Sequence, residues 1–339
     1  MLPGVGAVIL GAGSWGTAVA GLVAEHGPVA LWARDPDLAV RLDRDHENPA
    51  YLPGIRLPDA VHATSDLEEA CADADVVVLA VPSHGLRSVL SAAASFITPD
   101  VPVVSLTKGV EQDRHLRMTE VVAEVLPEHP RDRIGVLTGP NLAGEVAAGQ
   151  PTASVIAVED RDVAAQLQQL FMTDTFRVYT NPDVVGCEIA GAGKNVYALS
   201  VGAAAGLGYG DNARAALITR ALAELARLGV ALGGEPLTFA GLAGLGDLVA
   251  TCTSEQSRNR HVGFELGLGR PLEEIVAETN MVAEGVRSTP AILELAAEYG
   301  VEMPIATMVN AALSGHARPA DLVGPMMVRE AKAERDTHL

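Results

Sequence analysis

Val5-Gly6-Ala7-Val8-Ile9-Leu10-Gly11-Ala12-Gly13-Ser14-Trp15-Gly16 is the stretch whose reading decides the fold. Residues 5–10 form an apolar run that stops at glycine, the pattern of a parallel strand buried on both faces. Residues 15–26 follow as a helix that Gly27 closes, and Pro28 to Ala33 reads as a second strand. Gly-x-Gly-x-x-Gly alone is weak. Between a strand and a helix, inside a βαβ unit of roughly 30 residues, it is a dinucleotide-binding fingerprint. Gly11 permits the tight turn, Gly13 lets the backbone approach a pyrophosphate, and Gly16 lets helix and strand pack closely. The helix start adds N–H groups and positive potential. Residues 1–24 carry no charge, but no basic segment precedes them and six glycines interrupt them. A strand, turn and helix are therefore expected there rather than a signal peptide.

Outward from this unit, Asp75-Val-Val-Val-Leu-Ala-Val-Pro82 is a buried strand with a proline stop, and further strands are expected at 102–107, 133–138, 152–158 and 176–180. Strands alternating with helices imply an α/β fold, a doubly wound parallel Rossmann sheet. The pattern changes near Cys187. Residues 213–228 read as a strong helix, Ser288-Thr289-Pro290 opens another that Gly300 closes, and Pro304 and Gly315 bracket one more. The chain thus divides into a nucleotide-binding Rossmann domain over 1–188 and an all-helical substrate and catalytic domain over 189–339. Two domains suit 339 residues.

With 24 basic and 43 acidic residues the net charge is −19. That argues against nucleic acid and against anionic membrane surfaces as partners, since both need a cationic footprint. A small-molecule substrate is expected instead, with no membrane insertion. The three cysteines are far apart and form no disulfide or CxxC pattern, which fits a reducing cytoplasm. The nine histidines show no metal-ligand spacing, so no metal site is expected. Only three cations are lysines, Lys108, Lys194 and Lys332, and two of these lie in motifs. Lysine can give up a proton where arginine cannot.

The end of the second strand reports nucleotide choice. NAD-selective folds place an acidic residue there for the ribose 2′-hydroxyl, and a nearby Arg accommodates a 2′-phosphate. Here Arg34 takes that place and Asp35 comes one residue late, where it could still serve a hydroxyl. NADP(H) is expected to be preferred, with NAD(H) accepted. Ligands in such sheets lie beyond the carboxyl ends of the strands. Three of those ends are chemically loaded: Ser83-His84-Gly85, Thr107-Lys108-Gly109 and Thr138-Gly139-Pro140-Asn141. His84 is read as a loop residue. Later come Gly191-Ala192-Gly193-Lys194-Asn195, Gly241-Leu-Ala-Gly-Leu-Gly-Asp247 and Gln256-Ser257-Arg258-Asn259-Arg260. They offer an amine, a carboxylate and an anion clamp, the set needed to reduce a small anionic ketone.

In these motifs the chain resembles the bacterial NAD(P)-dependent glycerol-3-phosphate dehydrogenases, from residue 5 to about 330. The matching motifs are Gly11-Ala-Gly-Ser-Trp-Gly-Thr17, Asn48-Pro-x-Tyr51-Leu-Pro-Gly54, Ser-x-Thr-Lys108-Gly, Thr-Gly139-Pro-x-x-Ala143, Gly-Ala-Gly-Lys194-Asn195, Gly-Leu-Gly-Asp247-Leu and Gln-Ser257-Arg258-Asn259-Arg. The resemblance implies interconversion of dihydroxyacetone phosphate and sn-glycerol 3-phosphate, feeding glycerophospholipid synthesis. It implies Lys194 as proton donor and acceptor. Lys108, Gly139, Asn141, Asp247, Ser257, Arg258 and Asn259 would meet the substrate. Ser14, Trp15, Arg34, Lys108, Ala143, Arg258, Val282 and Glu284 would complete the nucleotide site. Position 141 is more usually serine in the family, so the contact made there is open. A ketopantoate-type or β-hydroxyacid reductase shares the Rossmann-plus-helical plan and is the rival reading; a sensor that keeps the fold without catalysis is a second. The helical domain could supply a homodimer face.

Overall fold

The computed structural model describes residues 6–278 and 283–321. The chain divides into two compact units, one built from the described residues of Met1–Lys108 and Leu116–Val184, the other from those of Gly109–His115 and Val185–Leu339. The second unit therefore contains a short piece of chain that directly follows Lys108. Residue 189, where the sequence places the start of the helical domain, falls inside the helix Val184–Gly206.

The first unit holds ten strands: β1 (Ala7–Leu10), β2 (Val29–Trp32), β3 (Glu47–Asn48), β4 (Leu52–Arg56), β5 (Val61–Thr64), β6 (Val76–Leu79), β7 (Val103–Ser105), β8 (Ile134–Thr138), β9 (Thr152–Ala157) and β10 (Phe176–Asn181). Eight form one sheet in the order β10-β9-β8-β7-β6-β1-β2-β5, and β3 pairs with β4 separately. The strand order reverses around β1, which lies between β2 and β6 and pairs parallel with both. That reversal is the topological switch point where such sheets bind ligands.

Alternate side chains of β1 enter different cores. Ala7 and Ile9 pack with Val19 and Val23 of the helix Ser14–Val23, whereas Val8 and Leu10 pack with Leu86 and Leu90 of the helix Ser83–Ala93. Helices on both faces explain why β1, β6 and β8 are buried along their whole length. One pair departs from the expected parallel sheet: β8 and β9 run antiparallel. Their connection, residues 139–151, carries only the five-residue helix Ala143–Ala147.

The second unit is helical, and among its described residues there is no strand. Its core is drawn chiefly from the helices Val184–Gly206, Asp211–Ala231, Arg258–Gly267, Glu284–Glu298 and Pro304–Leu313. Val110 belongs to this core, which ties residues 109–115 to the helical unit. The helix expected to open at Ser288 begins at Glu284, with Pro290 inside it. Its start is set by a tertiary contact: the Asn259 side-chain oxygen accepts from Gly285 N–H at 2.9 Å. A short π-helical segment, Leu242–Gly246, precedes the helix Asp247–Thr253. Among the described residues no helix is long and apolar enough to cross a membrane.

Candidate active site

In the first unit the glycine turn leaves β1 at Gly11, whose φ is +126°. A side chain there would drive its Cβ to 2.6 Å from the Ala80 carbonyl oxygen, and at Gly16 to 2.0 Å from that of Gly11. Both glycines are fixed by packing. Gly13 differs, because a Cβ built there would meet nothing within 4 Å. The turn is therefore closed toward the sheet and open at Gly13, directly before the first turn of the helix Ser14–Val23. Trp15 packs its ring against Phe176, with centroids 6.3 Å apart, and its buried indole Nε1 has no hydrogen-bond partner. An open backbone approach, a helix N-terminus and an unsatisfied donor fit a dinucleotide pyrophosphate.

Arg34 is exposed immediately beyond β2. Asp35 caps the helix Pro36–Asp45 by accepting from Asp37 N–H at 3.0 Å. Its late position in the sequence thus has a local purpose, although Asp35, like Arg34, is exposed. Ser14 Oγ donates to the Tyr51 carbonyl at 2.7 Å, so its single proton is committed to the protein.

Beyond the carboxyl ends of β7 and β8 the unit brings together Lys108, Gly139 and Asn141. Thr107 Oγ1 donates to the Val81 carbonyl at 2.7 Å and holds the turn that carries Lys108. Lys108 Nζ donates to the Gly139 carbonyl at 3.1 Å. Asn141 Nδ2 donates to Ser154 Oγ at 3.0 Å, and Ser154 Oγ donates to the Thr138 carbonyl at 2.8 Å. Ser154 has one proton and sends it to Thr138, so it must accept from Asn141. That fixes the amide orientation and leaves Asn141 Oδ1 a buried acceptor without a partner. Ala143 begins the next short helix. His84 is not in a loop: it lies exposed in the first turn of the helix Ser83–Ala93.

In the second unit Lys194 sits within the long helix Val184–Gly206 and is 7% exposed, while Asp247 is 1% exposed. Lys194 Nζ donates to Asp247 Oδ1 and, at 2.8 Å, to Thr251 Oγ1. Thr251 Oγ1 in turn donates to Asp247 Oδ1 at 3.3 Å. The three groups close a small buried ring, with Asp247 and Thr251 one helical turn apart on the same face. Sequence reasoning missed Thr251; its i, i+4 spacing from Asp247 was the available signal. Cys252 lies beside this ring, and desolvation pushes its thiol up to about 12, so it offers no thiolate nucleophile.

Ser257 caps the helix Arg258–Gly267, its hydroxyl accepting from Arg260 N–H at 3.2 Å. Asn259 Nδ2 donates to Asn195 Oδ1 at 3.0 Å, so Asn259 bridges the lysine's neighbour to Gly285. Arg258 reaches the surface, yet surrounding protein desolvates its guanidinium and lowers its pKa, with the Glu284 carboxylate opposing that shift. Arg258 and Glu284 are thus brought near one another. Val282 lies outside the described residues.

The comparisons with known proteins agree along the chain. Family models described as the NAD-dependent glycerol-3-phosphate dehydrogenase N-terminus and C-terminus match residues 7–164 and 183–324. A glycerol-3-phosphate dehydrogenase [NAD(P)+] 2 from Sphingopyxis alaskensis is 58% identical over 298 residues, covering 88% of this chain and 89% of that protein. One from Thermobifida fusca is 53% identical over 329 residues, covering 96% and 98%. The crystal structure of glycerol-3-phosphate dehydrogenase from Coxiella burnetii superposes with a TM-score of 0.92 at 36% identity, covering 96% of this chain and 99% of that one. With both halves of the family pattern matched in order, this chain belongs to the NAD-dependent glycerol-3-phosphate dehydrogenase family.

Proposed function

We infer that this chain is an NAD(P)-dependent oxidoreductase acting on a CH–OH group, interconverting dihydroxyacetone phosphate and sn-glycerol 3-phosphate for glycerophospholipid synthesis. The observation that carries the mechanism is the buried Lys194–Asp247–Thr251 ring. Bound nicotinamide nucleotide supplies a hydride to the ketone carbon. As that carbon is reduced, negative charge grows on the carbonyl oxygen. The Lys194 ammonium stabilises this charge and gives its proton to that oxygen; in the oxidative direction the neutral amine takes the hydroxyl proton back. Such acid–base assistance is worth roughly 10²–10⁴-fold. Asp247 and Thr251 accept from Nζ and fix where it points. Arginine would stabilise the oxyanion but could not deliver the proton.

Arg258 takes the substrate phosphate, whose oxygens match its planar fork. Ser257 and Asn259 assist from the same helix start. Asn141 Oδ1 accepts a substrate hydroxyl, a role that its fixed amide orientation supports. Lys108 and Gly139 also contact substrate. Trp15 and Ala143 meet the nucleotide in the first unit, and Ser14 does so through its backbone N–H, since its hydroxyl proton goes to Tyr51; the resemblance also gives Glu284 to the nucleotide. Exposed Arg34, with Asp35 engaged as a helix cap, favours NADP(H) over NAD(H).

The test is nucleotide oxidation driven by dihydroxyacetone phosphate, run beside ketopantoate. NADPH oxidation with the phosphorylated ketone and formation of glycerol 3-phosphate are expected. Faster turnover with ketopantoate would favour the rival reductase, and none with either would favour a sensor.

A further inference from the structure

The motif Asn48-Pro-Ala-Tyr51 has no part in the chemistry above, yet Asn48 is completely buried in the first unit. Its Nδ2 donates to the Ala12 carbonyl at 2.9 Å and to Thr17 Oγ1 at 2.7 Å. Its Oδ1 accepts from Tyr51 N–H at 3.2 Å. Both amide protons are spent on the glycine turn and the helix it opens. The amide orientation is unambiguous, because only nitrogen can face a carbonyl oxygen.

Ala12 and Gly13 share one peptide plane. In a trans peptide the carbonyl and the following N–H point in opposite directions. Asn48 pulls the Ala12 carbonyl toward the β3–β4 hairpin, so the Gly13 N–H is turned the other way. The same hairpin also accepts the Ser14 hydroxyl proton at Tyr51. We propose that Asn48 is a positioning residue for the nucleotide: by gripping the Ala12 carbonyl it aims the Gly13 amide at the pyrophosphate. The proposal rests on placing the dinucleotide at the glycine turn. In its absence the Ala12–Gly13 peptide can rotate, and the amide loses its fixed aim without any change at the Lys194 ring.

The experiment compares Asn48→Asp, which keeps volume and the acceptor but removes both donors, with Asn48→Ser, which keeps one hydroxyl. NADPH affinity is read by fluorescence titration, beside adenosine 2′-phosphate, which has no pyrophosphate. Asn48→Asp is expected to raise the NADPH Kd about tenfold or more, with the adenosine 2′-phosphate Kd and the kcat at saturating NADPH within about threefold of wild type. Asn48→Ser is expected to fall between. An unchanged NADPH Kd in a folded variant overturns the proposal, as does equal weakening of both ligands. Failure of both variants to fold would make Asn48 a determinant of the fold alone, which also overturns it. Gly13→Ala tests the underlying placement separately. If it binds NADPH normally, the nucleotide does not lie at this turn; if it binds poorly while the Asn48 variants bind well, only the role of Asn48 fails.

Discussion

Replacing Thr251 by valine removes one oxygen from the Lys194–Asp247–Thr251 ring and almost nothing else. The side chains are nearly the same shape, and Thr251 is buried, so the methyl that replaces the hydroxyl stays in protein contact. What disappears is an acceptor 2.8 Å from Lys194 Nζ and a donor 3.3 Å from Asp247 Oδ1. Hydrogen bonds to charged groups contribute about 1.5–3 kcal/mol. If that energy holds Nζ where the transition state needs it, kcat falls about 10–100-fold, at about 1.4 kcal/mol per factor of ten. Steady-state kinetics with dihydroxyacetone phosphate and NADPH would read the loss in kcat. The NADPH Kd is expected to hold, because Thr251 is given no contact with the nucleotide. Thr251→Ser returns the hydroxyl and is expected to recover most of the rate. A folded Thr251→Val enzyme with near wild-type kcat would refute the positioning argument, and so would a serine variant as defective as the valine one.

Other perturbations act elsewhere. Arg34→Ala is expected to abolish the preference for NADPH over NADH, read as the ratio of kcat/KM values; an unchanged ratio removes Arg34 from cofactor choice. His115 donates from Nδ1 to Glu298 at 2.8 Å and from Nε2 to Glu294 at 2.7 Å, and these bonds raise its pKa, Glu298 most strongly, against an opposing effect of burial. A raised histidine pKa gives stability that is complete below the unfolded value and lost as pH rises through the folded one. His115→Gln should therefore lower the melting temperature in mild acid and matter progressively less at alkaline pH; a deficit that does not shrink would count against the ion triad. Glu224 accepts from Ile305 N–H at 2.9 Å, Ala306 N–H at 3.4 Å and the Tyr197 hydroxyl at 3.3 Å, from inside the helical core. Glu224→Ala strands those donors and is expected to cost about 2–4 kcal/mol in denaturant unfolding, while Glu224→Gln, which keeps an acceptor, should cost clearly less.

β1, β6 and β8 could be read from the sequence because they are covered on both faces, where burial forces an unbroken apolar run such as Val76–Leu79. β5 was invisible because Val61-His-Ala-Thr64 sits at the sheet edge, paired on one side only, and tolerates polar residues. β3 and β4 are short and form their own pair. The antiparallel β8–β9 step is not announced by the composition of either strand. Likewise, Ser288-Thr289-Pro290 is a sound local helix start, but Asn259 begins that helix at Glu284 from a distant part of the chain.

The site divides along similar lines. Glycines and the lysine, aspartate and arginine motifs are local in sequence and were legible. Thr251 and Asn48 act through partners 57 and 36 residues away; the i, i+4 spacing from Asp247 and the Asn48-Pro-x-Tyr51 motif mark the two residues locally but do not name those partners. The capping role of Asp35, which accepts from Asp37 N–H, was not drawn from the sequence. At position 141, where the family more usually has serine, Ser154 fixes the amide orientation and leaves Asn141 Oδ1 the buried acceptor without a partner.

The central claim is that Lys194 moves the proton. Lys194→Arg keeps the positive charge beside Asp247 but withholds a transferable proton, so its turnover of dihydroxyacetone phosphate with NADPH, measured together with NADPH affinity, is the most direct test. The account predicts loss of most turnover, at least about 100-fold, with NADPH still bound. Turnover near the wild-type rate would contradict it and remove Lys194 from acid–base catalysis.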